Sequence, residues 1–377
     1  MVWQEFSDHL QVLWGALIAL GVVVALTPAV GGMARLLGAV DRQEDGRRQT
    51  RTGVPRLGGL ALFLGIFVPA LAFLHLSGQM RGILLGAAVA TTVGAIDDFR
   101  GLRWWEKLAG QTLAAAVPTE AGVWVHTFTF PLLGFQALPK PVGIAATVIG
   151  IVAVMNMVNF LDGLDGLAAG VCAISALSFT IIELSRGATD AAVLTAIVFG
   201  GCLGFLRHNF YPARIFMGDS GALLLGFTLA AVSVEGLSKT ALLSGLVLPL
   251  LVLAVPLLDT SFVVAKRIKH GRPIYEADRT HLHHRFENIG FSQRRAVLYL
   301  YCWCGMLALA ALATRFVHPH PHGHVHLLPL AIDAAIGLLA VGSSLYVVYL
   351  LEIVKLANPF IRRREEAEKA ETPRKTA

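Results

Sequence analysis

The chain has 377 residues, of which 55% are hydrophobic and only 15% charged, where soluble domains carry about 25% charged residues. That balance excludes a soluble globular enzyme, and apolar runs recurring along nearly the whole chain leave no stretch for a separate soluble core. The formal net charge of +6 would suit nucleic acid in a soluble protein. In a membrane protein the placement of charge matters more than its sum, and no nucleic-acid partner is expected.

Runs of roughly 20 apolar residues, the length that crosses a bilayer core, begin near Val12, Leu57, Gly82, Leu108, Val142, Gly166, Asp190, Gly221, Ala241, Ala296 and Leu327. The expectation is an all-α polytopic membrane protein of about eleven transmembrane helices. Glu5 and Asp8 precede the first run with no Lys or Arg, and the run is too long for a signal-peptide core, so it is expected to stay as the first span. With the N-terminus out and the C-terminus in, every Lys and Arg falls inside except Arg81, Lys140, Arg186, Lys239 and Arg315. The positive-inside rule selects that orientation.

The fourth span is interrupted early by Pro118, Thr119 and Glu120. Behind it, Val123 to Phe130 alternates with Trp124, His126, Phe128 and Phe130 on one face, which predicts a small outer β-hairpin before Pro139. Cys172, Cys202, Cys302 and Cys304 all lie in apolar segments and read as small hydrophobes rather than a disulfide framework or zinc site. His318, His320, His322, His324 and His326 fall in an outer loop broken by Pro and Gly, where no function is expected of them. Residues 1–356 form one membrane domain in this reading, and 357–377 a charged, disordered inner tail.

The segment Asn156 to Ala168, N-M-V-N-F-L-D-G-L-D-G-L-A, sets Asn156, Asn159 and Asp162 three apart on a slowly drifting helical face before Gly163 and Gly166 permit the helix to end. An ionised Asp in hydrocarbon costs on the order of 3 kcal/mol, so such a polar tip belongs at the membrane edge or in a watered cleft facing a partner. Hydropathy and Lys/Arg placement bring four further polar segments to the same inner face. They are the basic loop Asp41 to Gly59 with Arg56; Asp97-Asp98 followed by Lys107; Asn209 with Phe216-Met-Gly-Asp219; and Arg279-Thr-His281-Leu-His283-His284-Arg285.

Two carboxylates 4 Å apart repel by about 4 kcal/mol at an effective dielectric of 20. A divalent cation relieves this, and Asp and Asn oxygens suit Mg²⁺ or Mn²⁺ better than Zn²⁺. Lys107 and the loop arginines supply the fixed positive charge that phosphoryl transfer requires. His281 and His284 stand about one helical turn apart, but no H-E-x-x-H glutamate accompanies them; beside Arg279 and Arg285 they read as anion contacts. A cation transporter, the rival from another class, would carry carboxylates near the middle of its spans and often repeated halves, whereas here they gather at one surface.

With these segments in view, the sequence resembles the polyprenyl-phosphate N-acetylhexosamine-1-phosphate transferases. The motifs are Val93-Gly-Ala-Ile-Asp97-Asp98, the N-x-x-N-x-x-D-G-x-D-G-L-A stretch, Phe216-Met-Gly-Asp219, Pro256-Leu-Leu-Asp259-Thr and Asp278-Arg-Thr-His-Leu-His-His284. Leu282, which interrupts the histidines, resembles the branch that transfers N-acetylglucosamine 1-phosphate; the muramoyl-pentapeptide branch has three adjacent histidines. The resemblance implies a bacterial inner-membrane enzyme with a cytoplasmic catalytic cleft, which transfers sugar 1-phosphate from a UDP-N-acetylhexosamine to undecaprenyl phosphate and starts a cell-envelope glycan. It implies Mg²⁺ on Asp219 and Asn159, with Asp97 and Asp98 acting on the lipid phosphate or the metal and Lys107 on phosphate. Asp165, Asn209 and Phe216 would hold the uracil, Asp162, Arg56, Arg279 and Arg285 are further expected substrate contacts, and His281, His283 and His284 are expected in the catalytic set with Asp97, Asp98 and Lys107. A homodimer is compatible with it. Loop one departs from the family pattern in having Gln43 and no His between Arg48 and Pro55, and Gly101 stands where a third acidic residue is frequent.

Overall fold

An apolar segment in lipid has no water for its backbone N–H and C=O groups, so it must close its hydrogen bonds within itself, as a helix does. A computed structural model describes residues 10–41, 53–130, 134–238 and 292–316, with isolated positions between 335 and 346. The described elements are α1 (Leu10–Leu36), α2 (Gly58–Phe73), α3 (Gly78–Arg100), α4 (Trp104–Glu120), β1 (Thr127–Phe130), β2 (Gly134–Ala137), α5 (Lys140–Leu161), α6 (Leu167–Leu184), α7 (Thr189–Asn209), α8 (Gly218–Ser238) and α9 (Gln293–Phe316). Among the described residues, six helices are long and apolar enough to cross a membrane: α1, α3, α5, α6, α7 and α9. The protein is a multi-pass membrane protein. The expected spans near Ala241 and Leu327, and the tail 357–377, lie outside the described residues.

Local chemistry sets several ends. The Ser77 hydroxyl accepts the Met80 N–H at 3.2 Å to start α3, and Gly101, at φ 67°, ends it. Only a residue without a Cβ takes that left-handed turn cheaply, and it swings the chain straight into α4. There Arg103 N–H donates to Glu106 at 2.8 Å, satisfying an orphan backbone donor. This cap explains why α4 begins at Trp104, ahead of the expected Leu108. The strands pair antiparallel, Thr127 opposite Ala137 and Phe130 opposite Gly134.

At the centre stands α8, with every residue from Ser220 to Gly236 buried. It is wrapped by α2, α3, α5 and α6, while α1 and α7 pack together on the other side of α2. Lipid tails are as apolar as leucine, so helices here gain by close approach of small residues rather than by burial from water. A Cβ on Gly200 of α7 would lie 1.9 Å from the Ala16 carbonyl oxygen of α1, and one on Gly226 of α8 would lie 2.8 Å from the Met155 backbone of α5. Polar groups within the bundle pair with each other. Gln111 of α4 and Asn156 of α5 exchange reciprocal amide hydrogen bonds of 3.2 and 2.8 Å.

Candidate active site

The last turn of α3, the first turn of α4, the end of α5 and the first turn of α8 meet at one end of the bundle. Asp97 accepts the Leu102 N–H at 2.6 Å with one oxygen, and its other oxygen meets the Lys107 ammonium at 2.8 Å. The same ammonium pairs with Asp219, and the Asn159 side chain hydrogen-bonds the Asp219 carboxylate. Lys107 therefore bridges carboxylates carried by two different helices. Burial alone would raise the Asp219 pKa, but hydrogen bonding with Asp97, the Lys107 charge and the Asn159 amide outweigh it and hold the carboxyl below the usual carboxylate value. Burial likewise opposes the charge on Lys107, yet Asp219 and Asp97 hold its pKa above the ordinary lysine value.

Asp98 faces the other way. Its oxygens accept the backbone N–H of Asp219 at 2.8 Å, the N–H of Ser220 at 3.0 Å and the Ser220 hydroxyl at 2.8 Å. It caps α8 from a neighbouring helix, placing negative charge where the helix dipole favours it. The helices α3 and α8 lie close enough for this because Gly94 of α3 rests against the Asp219 backbone, where a Cβ would meet the carbonyl at 2.5 Å.

Among the described residues no three His, Cys, Asp or Glu side chains form a protein-only metal cage. Two oxygen donors, Asp219 and Asn159, beside a second carboxylate at Asp97 fit the sparse set by which Mg²⁺ is usually held, one or two protein carboxylates completed by substrate phosphates and water. The donor chemistry fits the expected cation; the ammonium of Lys107 supplies positive charge between the same carboxylates.

The segment from Tyr211 to Asp219 joins this charged end to a second cluster. Asp165, 8% exposed, accepts the Ala213 N–H at 2.9 Å. Asn209, 2% exposed, accepts the Gly166 N–H at 3.0 Å and donates to the Ile215 carbonyl at 2.9 Å. Tyr301 of α9 adds a third tie, its hydroxyl donating to the Gly166 carbonyl at 2.6 Å. Phe216 is buried with Val54 and Ala213, and the backbone around it pairs with loop one: Phe216 N–H to Pro55 at 2.8 Å, Gly58 N–H to Phe216 at 3.0 Å and Gly59 N–H to Met217 at 2.8 Å. The base of loop one is itself a short antiparallel ladder, with Val40 opposite Pro55. Arg56 sits on it, 3.7 Å from Asp41.

The structure thus brings Asp97, Asp98, Lys107, Asn159 and Asp219 together, and joins Asp165, Asn209, Phe216 and Arg56 to them through one segment. Asp162, half-buried, ends α5. Arg279, His281, His283, His284 and Arg285 lie outside the described residues. Asn156, expected on the polar tip, is engaged with Gln111. Sequence reasoning missed Ser220, Gln111 and Tyr301: each lies within an apolar helix, and only its tertiary partner reveals it.

A model of the family described as "Glycosyl transferase family 4" matches residues 80–237, the stretch that carries Asp97 through Asp219. The chain is 34% identical to a probable undecaprenyl-phosphate N-acetylglucosaminyl 1-phosphate transferase of Bacillus subtilis, over 75% of this chain and 79% of that protein. It is 38% identical to the decaprenyl-phosphate N-acetylglucosaminephosphotransferase of Mycobacterium leprae, over 73% of this chain and 76% of that one. A phospho-N-acetylmuramoyl-pentapeptide-transferase of Desulforudis audaxviator is 34% identical over 76% of this chain and 93% of its own. With the family model spanning Asp97 through Asp219 and relatives matched over most of their length, the chain belongs to glycosyl transferase family 4.

Proposed function

We propose that the protein transfers N-acetylglucosamine 1-phosphate from UDP-N-acetylglucosamine to undecaprenyl phosphate, releasing UMP, with Mg²⁺ as cofactor and Mn²⁺ able to replace it. The observation that carries this reading is the meeting of Asp97, Lys107, Asn159 and Asp219 at one end of an apolar bundle, in a chain whose relatives bear polyprenyl-phosphate transferase names. Leu282 and the first relatives favour N-acetylglucosamine over the muramoyl-pentapeptide donor. The topology belonging to this reading is eleven spans, N-out and C-in, in the cytoplasmic membrane with the site facing the cytoplasm.

The lipid phosphate attacks the β-phosphorus of the nucleotide sugar in line, and UMP leaves. The second ionisation of a phosphomonoester lies near pH 6, so the nucleophile is largely dianionic at neutral pH, and positioning with charge neutralisation supplies most of the catalysis. Mg²⁺, when bound by Asp219, Asn159 and the diphosphate, supplies charge stabilisation. Lys107 orients phosphate oxygens between Asp97 and Asp219. Asp98 fixes the start of α8 and so the position of Asp219. Asp165 and Asn209 hold the Ala213–Phe216 segment that lines the uracil, with Asp162 beside them, while Arg56, Arg279, Arg285 and the three histidines contact the diphosphate and sugar.

The test is UMP release by the purified protein given undecaprenyl phosphate and a panel of UDP sugars, with and without Mg²⁺. Release specific to UDP-N-acetylglucosamine and dependent on the metal is expected. No release with any UDP sugar in the presence of lipid and Mg²⁺ overturns the reading.

A further inference from the structure

Running up to the charged end on the other face of α3, α2 and α3 leave between them a groove of about 620 Å³, lined by Leu60 and Phe63 on one side and Thr91, Ala95, Phe99 and Arg100 on the other. Its α3 wall extends from Ala88 to Arg100, which at 1.5 Å per residue is about 18 Å. One leaflet of a bilayer has about 15 Å of hydrocarbon, half of the whole core. The groove is thus as deep as a single leaflet.

Its walls are dry by construction. The hydroxyls of Thr91 and Thr92 turn back to the carbonyls of Ala87 and Ala88, each at 2.8 Å, so the threonines present methyl groups. At the groove's end the chemistry changes abruptly. Arg100 is exposed and makes no ion pair among the described residues, and Phe99, Trp104 and Trp105 are 47%, 58% and 50% exposed around the α3–α4 turn. Aromatic rings and an arginine at the end of an apolar span are the pattern of a headgroup level.

We infer that this groove binds one anionic phospholipid, an acyl chain lying between α2 and α3 and the headgroup phosphate on Arg100. A zwitterionic lipid would fit the apolar walls equally, so the exposed guanidinium of Arg100 sets the preference for net negative charge. The polyprenyl chain of the acceptor is far longer than one leaflet, whereas the α3 lining of this groove stops at Ala88. The inference rests on the membrane reading alone, and UMP release by the same preparation reports separately on the transferase reading.

The test uses the full chain, delipidated in detergent and exchanged against mixed vesicles of phosphatidylcholine and phosphatidylglycerol, with tightly held lipid counted by native mass spectrometry. The wild type is expected to retain phosphatidylglycerol in preference. Arg100→Gln, an exposed change, is expected to lower that preference about fivefold, the effect of one arginine near an anionic surface. Ala95→Trp should fill the groove and expel both lipids, with UMP binding confirming that the variant is folded. Equal retention of the two lipids by the wild type, or a preference unchanged in Arg100→Gln, overturns the inference. So does displacement of the held phosphatidylglycerol by one equivalent of undecaprenyl phosphate, which assigns the groove to the acceptor, or a disulfide-linked dimer through Ala95→Cys in vesicles, which assigns it to a second copy.

Discussion

Asp98→Asn separates a residue that builds the site from one that does the chemistry. Asn keeps the shape and one acceptor oxygen, but its amide presents hydrogens where Asp98 presents a second oxygen to the start of α8. At least one of the three bonds to Asp219 N–H, Ser220 N–H and the Ser220 hydroxyl is lost, and those that remain lose their charge. Hydrogen bonds to charged groups contribute about 1.5–3 kcal/mol each, and a charge well placed at a helix terminus up to about 2 kcal/mol. A net loss of about 2–3 kcal/mol at the first turn of α8 follows, which at 1.4 kcal/mol per tenfold speeds local opening by about 30- to 100-fold. Hydrogen exchange of the peptide spanning residues 217–224, followed by mass spectrometry in detergent, reads that opening directly. Turnover should fall about a hundredfold alongside it, the cost of moving a catalytic group by on the order of 1 Å. If exchange stays at the wild-type rate while activity is lost, Asp98 acts on the reacting atoms and the capping account is wrong. If exchange accelerates and activity survives, the position of Asp219 does not govern the reaction.

Asp219→Ala should abolish UMP release at every Mg²⁺ concentration tried, and in the wild type Mn²⁺ should substitute better than Zn²⁺; near wild-type turnover by the variant would exclude Asp219 from the site. Asp165→Ala should raise KM for the UDP sugar more than for the lipid, and equal effects on both would leave Asp165 as a tie to Ala213 and nothing more. Tyr301→Phe removes one hydrogen bond worth about 1 kcal/mol, so a rise of about fivefold in the UDP-sugar KM with kcat little changed is expected; an unchanged KM would show that the Gly166 tie does not reach the nucleotide. Lys107→Met leaves Asp97 and Asp219 facing each other without the shared ammonium, and a drop in turnover of at least about a hundredfold is expected, checked by the same assay.

Much of the site was legible because its parts are out of place in their surroundings. Asp97, Asp98, Asn159 and Asp219 interrupt apolar sequence, and the charge rule alone gathers them on one face before any contact is known. What each does there was less legible. Asp97 and Asp98 are neighbours in sequence, yet 100° of helical rotation sends one to Lys107 and the other to the backbone of α8, and no pattern in a single sequence distinguishes the two. Asn156 and Asn159 repeat the ambiguity: one turn apart, they part company because Gln111, an unremarked polar residue in α4, lies opposite the first. The helix α4 starts ahead of the expected apolar span for a local reason, since Arg103 and Glu106 begin it within what reads as a charged loop. The pairing of loop one with Phe216 and Met217 is carried by main-chain groups, on which side-chain chemistry is silent.

Two glycines, one on α2 and one on α3, close on the first turn of α8. A Cβ on Gly59 of α2 would lie 2.0 Å from the Gly221 nitrogen, and one on Gly94 of α3 would lie 2.5 Å from the Asp219 backbone. Neither carries a group able to touch phosphate, sugar or base. In a saturation scan read only by activity, both positions would nonetheless score with the acidic residues, because even alanine must wedge apart the two surfaces that set where Asp219 stands. Intolerance to substitution in this protein therefore maps the jig as faithfully as it maps the tool. Separating the two takes a structural readout beside the kinetic one.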